Sequence, residues 1–198
     1  MPNNLVRRSR PLRFRDDSAP AADAPLTIEG YFVVFDQPYT MFDGCEEYVD
    51  RHAFDHADCS DVRVLVDHDP RLVLGRCNDK TQTATFEIDD VGVYVRCSIN
   101  PDDQDALNLR ARVLRGDVDQ ASFGFWEDED GVEYIDNPDG TYRRIVRGIT
   151  KLEEFSVCTF PAYEQTSVSA RSAEPDRVRR EVLNHRKNKL KRRFMHHA

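Results

Sequence analysis

No stretch of the 198-residue chain approaches the roughly 20 consecutive apolar residues that a bilayer-spanning helix needs. The basic opening, Met1 to Arg15, has no apolar run behind it, so it does not read as a secretory signal. A soluble, cytosolic protein is expected. The five cysteines, Cys45, Cys59, Cys77, Cys97 and Cys158, are odd in number and scattered, with no Cys-x-x-Cys pair. That spacing supports neither a disulfide framework nor a zinc ribbon, and small buried thiols in a reducing compartment are the simpler expectation. There is no internal repeat and no glycine loop of the kind that cradles a nucleotide, so no cofactor is expected.

Charge is plentiful but unevenly placed. Residues 16–170 hold 13 Lys/Arg against 33 Asp/Glu, whereas residues 1–15 hold five arginines and no acid, and residues 171–198 hold ten basic residues and three acidic ones. An acidic body between basic tails repels nucleic acid through its general field. Weak contact through the tails is the only nucleic-acid binding this distribution allows for, and a charged run is ordinarily just solvated.

Order is expected to begin at Leu26, after a flexible basic arm over residues 1–25. Leu26 to Phe35, Val62 to Val66 and Leu72 to Gly75 are rich in β-branched or aliphatic residues and predict strands. Thr83 to Ile88 and Val91 to Ile99 flank Asp89-Asp90 as a hairpin, and Val132 to Ile135 with Thr141 to Val146 flank the turn at residues 137–140 as another. Val118 to Trp126 and Ile149 to Phe160 complete the strand list. One internal helix is predicted between Asn100-Pro101-Asp102 and Gly116, with Ala106, Leu107, Ala111, Val113 and Leu114 on its apolar side and Arg110 exposed. The fold class is therefore mainly β (α+β): a small, mostly antiparallel β-barrel of about seven strands with peripheral helices. Its domain spans 26–171, and 172–198 form a basic tail with helical character.

Three positions combine reactive side chains with a supporting context. His68 follows an apolar strand and is flanked by Asp67 and Asp69; Ser122 lies between Ala121 and Phe123 with Gly124 nearby; Glu154 interrupts an apolar stretch between Leu152 and Phe155. Acyl transfer by a serine needs a base to take the hydroxyl proton and a third group to orient that base. Taken singly, each residue has a plainer reading, as a turn histidine, a strand serine and a surface acid.

Together, in their order, these segments resemble the prohead (procapsid maturation) serine protease family of tailed phages, which is related in fold to the herpesvirus assemblins. Gly30 to Phe35 is similar to the family's opening strand, Val64 to Pro70 with Leu72 to Arg76 to its histidine motif, Gly116 to Phe125 to its serine motif and Glu154 to Tyr163 to its closing motif. The resemblance implies His68 as general base, Ser122 as nucleophile and Glu154 as the orienting acid, with Glu153 the alternative because strand alternation turns only one of the two toward the imidazole. It further implies an endopeptidase that cleaves scaffold and capsid-protein segments, and itself, inside the assembling procapsid in the host cytoplasm. The partners would be the major capsid protein and its scaffolding segment, and a homo-oligomer is compatible with this role. Asp67 stands where the family usually has Asn; a carboxylate facing the imidazole would raise its pKa, and one turned away would not.

Two rival readings stay open. An inactive assembly or scaffolding factor of the same fold would keep these residues without using them. A metal-dependent hydrolase could draw on His52, His56, Cys59, Asp67, His68 and Asp69, but the zincin arrangement is missing and adjacent Asp-His-Asp converges poorly on one ion. The acidic run Glu127 to Asp130 lacks calcium-loop spacing.

Overall fold

The computed structural model describes residues 5–12, 26–160 and 174–195. Within them lie twelve strands and two α-helices. The strands are β1 (Leu5–Pro11), β2 (Thr27–Val34), β3 (Tyr39–Phe42), β4 (Cys45–Val49), β5 (Asp61–Val66), β6 (Asp69–Asn78), β7 (Ala84–Ile88), β8 (Gly92–Ser98), β9 (Gln120–Glu127), β10 (Val132–Asp136), β11 (Tyr142–Val146) and β12 (Ile149–Cys158). The helices are α1 (Gln104–Arg115) and α2 (Glu174–Met195). No described helix is long and apolar enough to cross a membrane.

The strands form three sheets, ordered β1-β9-β12-β5-β6, β10-β11-β4-β3 and β2-β8-β7, and none of them closes. The expected seven-strand barrel is therefore corrected to an open α+β assembly. Closure needs both edges of one sheet to meet, and here the short hairpins β3–β4 and β10–β11 join each other through a parallel β4–β11 ladder instead.

One core is shared by the first and third sheets and joined by Tyr39, Val49 and Val146 of the second. Phe155 of β12 packs edge-on to Phe32 and Phe86, and Phe123 stacks on Phe125 within β9. Helix α1 closes one side. It starts at Asp103, not at the preceding Asn-Pro-Asp, because the Asp103 carboxylate accepts the Asp105 and Ala106 amides; it stops at Gly116, whose positive φ lets its amide reach the Arg112 and Val113 carbonyls. Its buried side is Ala106, Leu109, Arg110 and Val113. Arg110, expected on the outside, turns inward because its guanidinium donates to the Thr27 carbonyl.

Residues 5–11, expected to be part of a flexible arm, are instead the strand β1, paired antiparallel with β9 along its whole length. A buried network of charge anchors it. Arg8 and Arg144 both donate to the fully buried Glu47, Arg144 also reaches Glu127 at 2.6 Å, and Arg177 of α2 meets Glu127 at 2.9 Å. Val178 and Val182 of the same helix settle on Met41, Cys45 and Tyr142. Burial alone would raise the Glu47 pKa, but the two arginines outweigh it and hold the carboxyl below its ordinary value.

A buried charge that loses its counter-charge is expensive. Glu47→Gln should therefore destabilise the protein by about 3–5 kcal/mol, read as a shift in urea midpoint. Because the folded pKa is depressed, the contribution is complete above the unfolded carboxyl value of about 4.3 and disappears as pH falls through the folded one. The gap between wild type and variant should narrow in acid, and a gap unchanged from pH 7 to pH 3 would contradict this.

Candidate active site

Strand β12 lies between β9 and β5, and its alternation decides what faces the site. Phe155 and Val157 point into the core, so Glu154, Ser156 and Cys158 share the other face. Across the ladder, Glu154 lies opposite Gly124 and Ser156 opposite Ser122. Paired residues of antiparallel strands point the same way, so Ser122 and Glu154 sit on one surface.

His68 arrives from the other side. β5 and β6 are joined by Asp67 and His68 alone, with φ of 48° and 59°. Two positive-φ residues in a two-residue loop make the hairpin turn whose twist matches its strands. Asn, Asp and His tolerate this conformation better than most residues, a physical reason for Asn or Asp before the histidine. Asp67 turns away from the imidazole: its carboxylate accepts from the Thr159 amide at 2.8 Å and the Thr159 hydroxyl at 3.0 Å.

The turn brings His68 Nδ1 to 2.6 Å from Glu154 Oε1. A carboxylate only accepts, so Nδ1 carries a proton, and in the neutral imidazole Nε2 keeps the lone pair. The second oxygen, Oε2, accepts from Ser156 Oγ at 2.6 Å, and that hydroxyl in turn accepts from the His68 amide at 3.2 Å. Ser156 was not singled out in the sequence, although its i+2 spacing from Glu154 on a strand was the available signal. Glu153 lies elsewhere, accepting from Trp126 Nε1 at 3.0 Å and pairing with Lys151.

Ser122 is wholly buried, and its hydroxyl donates to the Arg8 carbonyl at 2.8 Å. Cys158 stands between it and the imidazole, with Sγ 3.8 Å from His68 Nε2 and in hydrogen-bond contact with Ser122. Burial first, then the charges of Asp67 and Glu154, push the Cys158 pKa up to about 12, so it rests as a thiol. Hydroxyl and imidazole thus share a sheet face and a neighbour without a direct hydrogen bond, and the serine is enclosed, not open to a cleft. His52 pairs with Asp55, and among the described residues no three His, Cys, Asp or Glu side chains gather as a metal would require.

A histidine oriented by a buried carboxylate shares this surface with a buried serine, which assembles the parts of a serine-hydrolase triad but leaves the serine–imidazole hydrogen bond unmade. The chain belongs to the caudovirus prohead serine protease family, whose model matches residues 12–181. Among curated proteins it is similar to the prohead protease of Enterobacteria phage HK97, 40% identical over 82 residues, which are 41% of this chain and 34% of that protein. The chain thus aligns with about a third of that relative's length. Among solved structures, the bacteriophage T4 capsid assembly protease gp21 aligns with a TM-score of 0.43 and 13% identity, over 77% of this chain and 96% of that one.

Gly124 leaves the space Glu154 occupies: a Cβ there would lie 2.5 Å from Oε1 and 3.1 Å from Cδ. Gly124→Ala should push the carboxylate off the imidazole and slow fluorophosphonate labelling of Ser122 at least about tenfold, while far-ultraviolet circular dichroism stays that of the wild type. Labelling at the wild-type rate would show that the contact does not matter.

Proposed function

We propose that this chain is a serine endopeptidase of phage procapsid maturation, cutting scaffold and capsid-protein segments and its own tails within the assembling shell. The single observation that carries this reading is the 2.6 Å contact between His68 Nδ1 and the buried Glu154 carboxylate, on the sheet face that also holds Ser122. Membership of the prohead serine protease family supports the proposed substrate class.

In this reading Ser122 rotates from the Arg8 carbonyl toward His68 Nε2, which takes its proton as Oγ bonds to the scissile carbonyl carbon. The carbonyl π pair moves onto oxygen, then returns as the C–N bond breaks and the imidazole gives its proton to the leaving amine. Water repeats the sequence and frees Ser122. Glu154 orients the ring and steadies the imidazolium. Ser156 holds Glu154 and the turn, and Cys158 is a neutral spacer. A closed resting site suits an enzyme synthesised among cellular proteins, and confinement in a shell supplies local concentration in place of tight binding.

Co-expression with the capsid protein, followed by sizing of the products, tests the proposal. Wild type should shorten the capsid protein, and Ser122→Ala should lose about 10⁴-fold or more of that activity. Cleavage by the alanine variant at the wild-type rate would end the assignment of Ser122. An uncut capsid protein in assembled shells, with no fluorophosphonate adduct, would favour a scaffolding factor.

A further inference from the structure

Strand β1 lies outside the matched segment 12–181, yet it faces the candidate site. Its register sets Arg7 opposite Gly124 and Ser9 opposite Ser122. Arg7 shows which way this side points, since its Nε lies 3.6 Å from Glu154 Oε1. Val6 and Arg8, one residue out of phase, go to the core and to Glu47. The Ser9 hydroxyl therefore stands over the same surface as the Ser122 hydroxyl, one strand away, where opposed Cβ atoms lie about 5 Å apart.

Ser9 is 8% exposed, and its Oγ has no hydrogen-bond partner among the described residues. Burying a hydroxyl without a partner costs stability that alanine would not cost. Such a group fits a site where an acceptor arrives only during the reaction. If Ser122 is the nucleophile, attack creates such an acceptor, a negative oxygen one bond beyond the Ser122 Oγ–carbon bond, on the sheet face that Ser9 shares with Ser122. We propose that Ser9 is a further catalytic residue, its hydroxyl donating to the oxyanion formed on the attacked carbonyl. The proton stays on Ser9 throughout; the hydrogen bond forms as the carbonyl electrons move onto oxygen and is released when they return.

This proposal rests on the reading of Ser122 above, and the test separates the two. The full-length wild type, Ser9→Ala and Ser9→Thr are reacted with a fluorophosphonate, whose phosphoryl oxygen occupies the oxyanion position, and the adduct is located by mass spectrometry. Ser9→Ala should label Ser122 about 10²-fold more slowly, with a melting temperature equal to or above that of the wild type, and Ser9→Thr should recover most of the rate. Wild-type labelling kinetics in Ser9→Ala would overturn the role of Ser9 and leave Ser122 in place. Slow labelling that comes with a lower melting temperature and no threonine rescue would make Ser9 a packing residue, also overturning it. A wild-type chain labelled somewhere other than Ser122 would remove both assignments.

Discussion

A carboxylate shut away from water is costly unless donors surround it, and Glu154 is placed so that they do. His68 Nδ1 takes one oxygen and Ser156 the other, with Arg7 alongside the first. Nearly every local feature of the site serves this group. Gly124 makes room for it, the Asp67–His68 turn delivers the imidazole, and the central position of β12 keeps solvent out. With Nδ1 committed to the acid, Nε2 is fixed as the basic nitrogen before any substrate is present.

On the opposite face of β1 and β9, where the second sheet meets them, charge is managed differently. Glu47, Arg144, Glu127 and Arg8 form a buried lattice whose members come from β4, β11, β9 and β1. Such a lattice adds little net stability over apolar packing, but it accepts only one arrangement of partners. Its effect is one of register. It sets β1 against β9 with Ser9 opposite Ser122, and through Arg177 it ties α2 to the end of the serine strand.

The strands that carry His68, Ser122 and Glu154 were legible because each joins β-branched or aromatic residues to a turn signal. β1 was not, since Leu5 to Pro11 holds three arginines and the buried partner of Arg8 lies 39 residues away. β3 and β4 are short, β4 carries Glu46 and Glu47, and its pairing becomes plain only beside β11. The barrel expectation failed for a related reason: counting strands says nothing about which edges meet. At the site, alternation limited the acid to one of two glutamates, but only the fold distinguishes Glu154 on His68 from Glu153 on Trp126. The lack of a direct Ser122–His68 hydrogen bond, with Cys158 between them, has no signature in spacing.

The parallel ladder between β5 and β12 has a consequence for synthesis. His68 and Glu154 are 86 positions apart, and Ser122 lies 114 positions from the Arg8 carbonyl it contacts. A chain still on the ribosome and lacking β12 has an unoriented histidine, and β9 has only the N-terminal strand to pair with. The parts of the site come together only once the last strand inserts between two already made. Long-range closure of this kind is slow to form, so His68 gains its carboxylate partner only late in folding.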